Sequence, residues 1–370
     1  MRYLFLSSWT GGGHMAAAHA VADAIRRRDP QAETRIEDVL RGCRQFPLTR
    51  FPDVYGPLVN HLPGLWTVLW STSDYAPTVD LISRAGWPLV SGHLRDLARD
   101  FGPDVLVPVH PLLVRPAVRL AKRRGDFRVA CIVTDLVRLH RFWLDPHVDL
   151  YLLPSAEAAA AARMAGVRPE RAFVCGQPIP AAVPSALTRA EAKRSLGLDA
   201  SHPLVIVTGG GAGAGPLAAV SEALSRALDP SVQMVVICGR NESLQRRLRA
   251  RGGSARVLGY VSDMPHWLRA ADVLVTKAGP NALAEAMAEG LPTVIMSALP
   301  GQETDNVTFF TRRGAAIWAP DPAEAARQVA RLLRRPDEAR ALGARARASS
   351  RPNAADEMAR HLDSLARATA

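Results

Sequence analysis

One plan, a strand followed by a glycine-rich turn and a helix, occurs twice in this chain. Its first copy spans residues 3–28, where the apolar run Tyr3-Leu-Phe-Leu is followed by three glycines and an alanine-rich stretch. Its second copy spans residues 204–228, where Leu204-Val-Ile-Val precedes a loop with five glycines in seven residues. Because this plan opens a doubly wound α/β domain, a chain of 370 residues that carries it twice is predicted to form two such domains.

A proline-rich segment separates the two copies. Residues 176–184 hold three prolines, and proline cannot continue a helix or a central strand because it lacks an amide hydrogen. We therefore expect a first domain at 1–178, a linker at 179–186 and a second domain at 187–350. The last residues, 351–370, are expected to form a helix that can pack back on the first domain.

Further short apolar runs predict the remaining strands. Runs of this kind, each beside a helical stretch, are typical of parallel sheets that are covered on both faces. The runs are 105–109, 129–133 and 150–153 in the first domain, and 234–238, 256–258, 273–276 and 293–296 in the second. The fold class is thus α/β, with two doubly wound Rossmann-like domains that we expect to face each other across a cleft. Ligands of such sheets bind where the strands end, so the loops after these runs are expected to carry function.

The composition excludes several classes of protein. The formal net charge is +11, which favours anionic surfaces, but no zinc-finger spacing or aromatic-basic signature accompanies it, so no nucleic-acid partner is expected. No apolar run approaches the ~18 residues of a membrane-spanning helix, and the N-terminus lacks the apolar core of a signal peptide. We therefore expect a cytoplasmic protein. The four cysteines show no C-x-x-C spacing, and no Cys/His cluster indicates a metal site.

Two residues of the first domain are candidates for a catalytic base. His14 follows Gly12 and Gly13 at a predicted helix start, where glycines allow close approach of a ligand and the helix favours negative charge. Asp135 comes soon after the predicted strand 129–133, and a carboxylate in that place can accept a proton or orient a histidine. The sequence does not choose between the two.

The glycine loop 209–215 of the second domain has two interpretations. It is not a Walker A loop, because no Gly-Lys-Ser/Thr follows it. Its Gly-x-Gly spacing also occurs in dinucleotide-binding folds, but those place an acidic residue after the second strand. Here Arg240 occupies that region. By itself the loop is therefore a weak signal: a dinucleotide site is disfavoured, although Arg240 could instead bind a 2′-phosphate.

The segment from Lys277 to Gly290 is the most informative. A strand ends before Lys277, Gly279 is suited to cap the following helix, and Pro280 is suited to its first position. The start of that helix would offer amide hydrogens and a positive dipole to a phosphate. Asn281 and Glu285 are four residues apart and so share a helix face, where a carboxylate could hold two ribose hydroxyls.

A polar loop follows the next predicted strand. In Pro300-Gly-Gln-Glu-Thr-Asp-Asn306, Gln302 and Glu303 are suited to bind sugar hydroxyls. No Asp-x-Asp occurs in the chain, although that motif commonly holds a metal ion on the diphosphate of a nucleotide-sugar. We therefore expect a helix dipole and cations to stabilise the leaving group, with no metal and no cofactor.

Taken in order, these motifs resemble the monogalactosyldiacylglycerol synthase and processive diacylglycerol glucosyltransferase family, which has the GT-B fold and is glycosyltransferase family 28-like. The resemblance covers nearly all of the first 320 residues, including an acceptor-side region from Pro47 to Ser73. The motifs that carry it are Gly11-Gly-Gly-His14, His110-Pro111, Val133-Thr-Asp135, Pro154-Ser155, Gly239-Arg240-Asn241, Gly259-Tyr260, Thr276-Lys-Ala-Gly-Pro280, Glu285-Ala286, Gly290-Leu-Pro292 and Pro300-Gly-Gln-Glu303.

The resemblance implies that the first domain takes the acceptor and that the second holds a UDP-sugar. It implies inversion in a single displacement, with His14 or Asp135 as the base. The implied donor-binding residues are Gly12, Gly13, Gly210, Gly211, Arg240, Tyr260, Val261, Lys277, Ala278, Gly279, Pro280, Asn281, Glu285, Gln302, Glu303 and Asn306. Among them the backbone of 259–261 would read uracil and Glu285 would hold ribose. The implied acceptor-side residues are His110, His140, Trp143 and Trp66.

Two departures from the family pattern concern the donor phosphates and the acceptor. Asn281-Ala282 stands where the family often has Gly-Thr, and His140-Arg-Phe-Trp143 stands where it usually has His-Pro-x-Trp. We expect a lipid acceptor such as diacylglycerol, reached by peripheral docking on the inner, anionic face of the cell membrane. One set of apolar residues could form a docking face on that membrane or could equally belong to the core: Leu58, Leu62, Leu65, Trp66, Leu69 and Trp70. A soluble secondary-metabolite acceptor and a UDP-sugar epimerase are the alternatives.

Overall fold

The computed structural model describes most of the chain. The described residues are 1–10, 12–43, 45–46, 48–181 and 187–368. Gly11, Pro47 and residues 182–186 of the expected linker therefore lie outside the described residues.

Within the first 181 residues, which form most of the N-terminal unit, strands alternate with helices except between β2 and β3, where four helices follow one another. In chain order they are β1 (Arg2–Ser7), α1 (Gly13–Arg28), β2 (Glu33–Asp38), α2 (Val39–Gly42), α3 (Phe51–His61), α4 (Pro63–Ser73), α5 (Ala76–Phe101), β3 (Val105–Pro108), α6 (Pro111–Arg124), β4 (Arg128–Ile132), β5 (Leu150–Leu153), α7 (Ala156–Met164) and β6 (Ala172–Val174). Short 3₁₀ helices cover Leu48–Arg50, Arg141–Trp143 and Pro169–Arg171. The strands are parallel and lie in the order β2-β1-β3-β4-β5-β6.

Both faces of this sheet are buried, as the apolar runs predict. In β1 the side chains alternate, so that Leu4 and Leu6 belong to one core cluster while Tyr3 and Phe5 belong to the other. Helices α5 and α6 cover the first face, and α1 covers the second. The doubly wound arrangement of the N-terminal unit is thereby confirmed.

The C-terminal unit, Ala182–Ser350, repeats this architecture. Its elements are α8 (Arg189–Ser195), β7 (Leu204–Thr208), α9 (Leu217–Ala227), β8 (Gln233–Ile237), α10 (Glu242–Arg251), β9 (Arg256–Leu258), α11 (Met264–Ala270), β10 (Val273–Lys277), α12 (Pro280–Glu289), β11 (Thr293–Ser297), α13 (Thr304–Arg312), β12 (Ile317–Trp318), α14 (Pro322–Arg334) and α15 (Pro336–Ala348). Its strands are also parallel, in the order β12-β11-β10-β7-β8-β9.

The last helix, α16 (Ala354–Arg367), belongs to the N-terminal unit, which consists of Met1–Ala181 and Arg351–Ala370. It packs against α1, and Met358 and Leu362 lie in the same core cluster as the buried side of that helix. Prolines divide this helical region, since α15 begins at Pro336 and Pro352 lies between α15 and α16.

Strand β2 was not predicted, for a physical reason. Its sequence, Glu33-Thr-Arg-Ile-Glu-Asp38, is mostly charged, and its residues are half-buried or exposed because it lies at the edge of the sheet. Edge strands often carry charged side chains, so hydrophobic patterning misses them. Among the described residues, none of the helices combines the length and the apolar character that crossing a membrane requires.

Candidate functional site

In each sheet the winding direction reverses between two neighbouring strands. In the C-terminal unit β8 and β9 lie beyond β7, whereas β11 and β12 lie beyond β10. The same reversal occurs in the N-terminal unit between β1 and β3. Loops that leave such a pair of strands diverge to opposite faces, and the crevice between them is where doubly wound sheets bind ligands. The sequence-predicted residues can be placed relative to these two reversal points.

Lys277 lies at the reversal point of the C-terminal unit. It is the last residue of β10, and Gly279 and Pro280 are the N-cap and first residue of α12, as predicted. A side-chain carbon at Gly279 would lie 2.9 Å from Lys277 Nζ, and one at Gly210 would lie 3.4 Å from Lys277 Cε. The ammonium group therefore lies over the helix start and beside the glycine loop, an arrangement that suits an anionic diphosphate.

The loop after β7 packs so closely against the loop after β8 that glycine is required at the points of contact. Gly213 has a φ of 59°, and a side-chain carbon there would lie 2.0 Å from the carbonyl oxygen of Cys238. Gly239 has a φ of 56°, and its side-chain carbon would lie 2.6 Å from the carbonyl oxygen of Gly210. The loops after β7 and β8 thus pack backbone to backbone. Arg240 N donates to the carbonyl of Gly211 at 2.9 Å, which fastens the two loops together.

The loop after β11 is held against the end of β10 by contacts with Lys277 and Ala278. Glu303 is buried, forms an ion pair with Lys277 and accepts a hydrogen bond from Leu299 N at 3.0 Å. Asn306 is also buried, and its Nδ2 donates to the carbonyl oxygen of Ala278 at 2.9 Å. The structure therefore brings Gly210, Lys277, Ala278, Gly279, Glu303 and Asn306 together. A sugar hydroxyl that contacts Glu303 would share this carboxylate with Lys277.

Three buried polar atoms at this edge have no hydrogen-bond partner among the described residues. They are Thr276 Oγ1, Ser297 Oγ and Gln302 Oε1. Buried polar groups are rarely left in this condition, so each is a candidate ligand contact. Of the three, Gln302 was predicted as a site residue, whereas Ser297 was missed. A polar residue that closes an apolar strand, as Ser297 closes β11, is the signal that could have found it.

Glu285 lies one turn into α12, after Asn281 on the same helix. Its side chain is half-buried, and the loss of solvent around the carboxyl raises its pKa to about 7. A carboxylate kept in a poorly solvated place without a compensating cation is costly, and such groups cluster at functional sites. The geometry is therefore compatible with the predicted ribose-binding role.

Arg240 and Tyr260 follow β8 and β9 on the same edge of the sheet. The Arg240 guanidinium lies over the Tyr260 ring, 5.1 Å from its centroid, and Tyr260 remains half exposed. Val261 is the next residue and is half-buried. An exposed aromatic ring backed by a cation is a surface on which a planar base can stack. Gly12 and Gly13, also predicted for the donor, lie at the start of α1 in the N-terminal unit, directly before His14.

His14 and His110 meet at the reversal point of the N-terminal unit. His14 is in the first turn of α1, His110 follows β3, and their ring centroids are 4.7 Å apart. Thr134 Oγ1 lies 2.9 Å from His14 Nδ1, and Thr10 Oγ1 lies 2.9 Å from His110 Nε2. Burial lowers the pKa of His14 to about 4, although a hydrogen bond with the backbone of Val109 opposes the shift. His14 is therefore neutral, and able to accept a proton, at neutral pH.

Asp135 supports this pair of histidines through Trp143. Its Oδ2 accepts a hydrogen bond from Trp143 Nε1 at 2.8 Å and a longer one from His140 N at 3.4 Å. Trp143 is completely buried, and its ring centroid is 5.9 Å from that of His14. One oxygen of the Asp135 carboxylate is thus occupied in holding the tryptophan against the candidate base.

His140 is buried at a junction of three segments. Its Nδ1 accepts from Phe142 N at 3.2 Å, and its Nε2 lies 3.3 Å from the carbonyl oxygen of Trp70 and 3.1 Å from Ser73 Oγ. Desolvation lowers the pKa of His140, consistent with a neutral ring that donates from Nε2. Its ring contacts Trp70, which in turn contacts Trp66. His140 therefore fixes the end of α4, and Trp66, the other predicted acceptor-side residue, belongs to the same aromatic cluster.

Large apolar side chains are exposed on one part of the N-terminal unit. Among the described residues, nine of the fourteen exposed large hydrophobic side chains lie between residues 46 and 82. We call this the apolar surface; it consists of Phe46, Val54, Leu62, Leu65, Val68, Leu69, Tyr75, Leu81 and Ile82. Leu62, Leu65 and Leu69 were predicted to form such a face, whereas Trp70 is buried instead, against His140. Exposed apolar clusters of this kind mark interaction sites.

A basic pocket of about 190 Å³ lies between α5 and α6, and the sequence did not predict it. Its lining includes four cations and two carboxylates: Arg84, Arg115, Arg119, Lys122, Asp80 and Asp145. Asp80 forms an ion pair with Arg115, and Arg119 lies over the ring of Trp87 at 4.9 Å. Because Leu81 and Ile82 of the apolar surface lie on the same helix as Arg84, basic and apolar groups adjoin here.

Comparison with known proteins gives matches over both units. A family model described as monogalactosyldiacylglycerol (MGDG) synthase matches residues 14–179, and one described as glycosyl transferases group 1 matches residues 216–335. The chain is 32% identical to the chloroplastic monogalactosyldiacylglycerol synthase of Spinacia oleracea over 99% of its own length and 73% of that protein.

Two solved structures share the fold at low sequence identity. The Anabaena protein Alr3699/HepE in complex with UDP and glucose matches with a TM-score of 0.57 and 15% identity, covering 98% of this chain and 100% of that one. The UDP-GlcNAc 2-epimerase of Neisseria meningitidis bound to UDP-GlcNAc matches with a TM-score of 0.60 and 11% identity, over 98% and 100% of the two chains. These likenesses support the two-domain, GT-B type of fold and carry no further conclusion about the reaction.

Proposed function

Since this chain belongs to the monogalactosyldiacylglycerol synthase family of glycosyltransferases, we propose that it moves a hexose from a UDP-sugar to diacylglycerol at a membrane surface. Diacylglycerol follows from the name of the spinach relative, which also makes galactose the first sugar to test. The observation that carries the donor half of the proposal is the convergence of Lys277, Gly279 and Gly210 at the reversal point of the C-terminal unit.

In the donor site, the start of α12 and Lys277 hold the diphosphate and stabilise the negative charge that develops on UDP as it leaves. This arrangement needs no metal ion on the diphosphate. Glu285 accepts hydrogen bonds from the ribose hydroxyls, and Tyr260 and Val261 hold the base. Gln302, Glu303 and Asn306 contact the sugar or fix the loop that does; the ion pair of Glu303 with Lys277 links the sugar contacts to the phosphate contacts.

In the acceptor site, His14 is the base. Its ring is neutral at neutral pH, and the hydrogen bond at Nδ1 with Thr134 sets its orientation. Asp135 is a positioning residue, because Trp143 and His140 already engage one of its oxygens. His14 removes the proton of the acceptor hydroxyl while that oxygen attacks the anomeric carbon and the bond to UDP breaks. A single displacement of this kind inverts the anomeric configuration.

The experiment that tests this function measures UDP release from UDP-galactose and UDP-glucose, with and without diacylglycerol. The expected result is release that depends on diacylglycerol in vesicles and proceeds without an added divalent cation. Release with no acceptor, or conversion of one UDP-hexose into another, would instead favour an epimerase. Release only with water-soluble alcohols as acceptors would favour a soluble metabolite as the acceptor.

The apolar surface supports docking on a bilayer, and the basic pocket supports a preference for anionic lipid. Apolar side chains between residues 46 and 82 can enter the headgroup region, while Arg84, Arg119 and Lys122 remain at the level of the phosphates. These two features support the proposal that the protein binds a membrane peripherally. For a bacterial protein it favours the cytoplasmic face of the cell membrane, where the nucleotide-sugar is available.

Replacing two leucines of the apolar surface should release the protein from vesicles. Each buried leucine stabilises a bound state by about 1.5–3 kcal/mol, so the double variant Leu65→Asp/Leu69→Asp should bind at least about tenfold less tightly. Flotation with vesicles of phosphatidylcholine, phosphatidylglycerol and diacylglycerol measures the effect. Met164→Asp is the matched control, because Met164 is 91% exposed in the same unit but lies on α7. Unchanged flotation of the double variant, or an equal loss in the control, would contradict docking by this surface.

A further inference from the structure

Three potential metal ligands meet where β6 ends beside α16. Cys175 follows β6 directly, and Glu357 and His361 are one turn apart on the same face of α16. The sulfur, a carboxylate oxygen and an imidazole nitrogen all lie within 4.8 Å of one another. Among the described residues this is the one group of three such side chains that is close enough to hold an ion. About 180 residues separate the cysteine from the other two, so no spacing motif in the sequence could indicate the group.

The chemistry of the three ligands suits Zn²⁺. Zinc binds thiolate, imidazole and carboxylate at about 2.0–2.3 Å, usually with tetrahedral geometry. Tetrahedral bonds of that length place neighbouring ligand atoms roughly 3.5 Å apart, so the three groups need to close by about 1 Å. Glu357 and His361 are half-buried, which allows such side-chain movement and leaves solvent to fill a fourth position.

The surrounding contacts hold the ligands in place. Cys175 N donates to the carbonyl oxygen of Leu153 at 3.0 Å, which fixes the cysteine backbone beside β5. The ring of Phe173 lies 4.2 Å from that of His361 and limits how the imidazole can turn. Arg351 NH1 donates to the carbonyl oxygen of Val174 at 2.7 Å, so the segment before α16 is already tied to β6. A metal-ligating histidine commonly depends on such outer contacts for its orientation.

The thiol environment does not suit a reactive cysteine. Burial raises the pKa of Cys175 to about 12, and Glu357 shifts it in the same direction, while Arg351 and Arg360 oppose the shift. Reactive cysteines have lowered pKa values, so nucleophilic or redox chemistry gains nothing from this arrangement. A bound divalent cation would instead lower the pKa of this thiol, because it stabilises the thiolate and neutralises the carboxylate beside it.

We propose that Cys175, Glu357 and His361 bind a structural Zn²⁺ ion that fastens α16 to the sheet of the N-terminal unit. Strand β6 is the edge strand of that sheet, four strands away from β1, so the ion is separate from the His14 cluster. It would join the last helix of the chain to a strand that precedes the whole C-terminal unit. The proposal does not depend on the glycosyltransferase reaction.

Cobalt substitution tests the ligand set directly. The full chain is stripped with a chelator, dialysed and titrated with Co²⁺, which gives a thiolate-to-cobalt charge-transfer band when a cysteine is a ligand. We expect the band in the wild type and in Cys131→Ala, and its loss in Cys175→Ala. Cys131 is the matched control, since it is equally buried in the same unit but lies in β4. Absence of the band from the wild type, or its persistence in Cys175→Ala, would overturn the proposal.

Variants of Glu357 and His361 on α16 provide a second test, which applies even if Cys175→Ala does not fold. Zn²⁺ at about a hundred times its dissociation constant should raise the midpoint of thermal unfolding by roughly 5–10 °C. Glu357→Gln and His361→Gln should each weaken Zn²⁺ binding about a hundredfold or more and remove most of this shift. An equal thermal shift in all variants would contradict a site made of these residues.

Discussion

His14→Ala should lower kcat by about 10²–10⁴, the range that general base catalysis contributes, while the KM for the UDP-sugar changes little. The reason is that His14 has a neutral ring at neutral pH, is oriented by a hydrogen bond with Thr134 and is half-exposed, whereas His110 and His140 are buried. Initial rates with diacylglycerol in vesicles provide the measurement. His147→Ala is the control, because His147 is an exposed histidine of the same unit whose Nδ1 lies 3.1 Å from Asp145 Oδ1.

Variants of Asp135 test whether His14 or Asp135 is the catalytic base. If Asp135 only holds Trp143, then Asp135→Asn should keep most of the activity, since the amide oxygen can still accept from Trp143 Nε1. Asp135→Ala should then lose more activity than Asp135→Asn. If Asp135 were the base, Asn and Ala would be equally damaging, because neither can take a proton. A loss in Asp135→Asn as large as that in His14→Ala would therefore move the base from His14 to Asp135.

Glu285→Ala should raise the KM for the UDP-sugar about a hundredfold with little change in kcat. Hydrogen bonds to a charged group contribute about 1.5–3 kcal/mol, and the ribose contacts count equally in the ground state and the transition state. Glu289→Gln is the control on the same helix, since Glu289 pairs with Arg269 at 3.1 Å and is not a predicted site residue. A KM that stays within threefold of the wild type would remove the ribose-binding assignment.

The raised pKa of Glu285 should make kcat/KM for the UDP-sugar depend on pH. Because burial raises this pKa to about 7, the group is mostly protonated below pH 7 in the ligand-free protein. A protonated carboxyl accepts fewer hydrogen bonds, so kcat/KM for the donor should fall as the pH drops below about 7. In Glu285→Gln this decline should disappear. His14, whose pKa is about 4, should cause no decline between pH 5 and pH 8.

The same shift makes Glu285 costly for stability. Its folded pKa exceeds its unfolded value of 4.5, so the folded state binds more protons than the unfolded state between pH 4.5 and pH 7. Its contribution is therefore most favourable below pH 4.5 and is lost as the pH rises through 7. The cost at pH 8 is up to about 3 kcal/mol, at about 1.4 kcal/mol per pKa unit. Glu285→Gln should accordingly raise the thermal midpoint at pH 8 but not at pH 4, even though it impairs binding of the donor.

Much of the fold could be read from local patterns. The caps of α12 are an example, because Gly279, Pro280 and Gly290 have conformational preferences that act within a few residues. The strands β7, β10 and β11 followed from continuous apolar runs, which only a doubly covered sheet accommodates. Features decided by nearest neighbours in the chain were therefore predictable within one or two residues.

The remaining features depend on contacts between distant parts of the chain. The ion pair of Lys277 with Glu303 joins residues 26 apart, and each residue alone suggested a separate ligand contact. Between residues 51 and 101, the sequence predicts apolar helix faces but cannot say which of them the core covers. Trp70 is buried against His140, whereas Leu69 beside it is exposed. The basic pocket likewise required α5 and α6 to be placed side by side.

The structure of the lipid product shows directly whether the protein transfers a hexose to diacylglycerol with inversion. Wild-type protein is incubated with UDP-galactose or UDP-glucose and vesicles that contain diacylglycerol, and the extracted lipids are examined by mass spectrometry and by NMR of the anomeric proton. We expect a glycosyl-diacylglycerol in the β configuration, because a single displacement on an α-linked UDP-hexose inverts the anomeric centre. A product in the α configuration would contradict the single displacement at His14. The absence of any glycosylated diacylglycerol, with both sugars and an active, vesicle-bound protein, would contradict the proposed function itself.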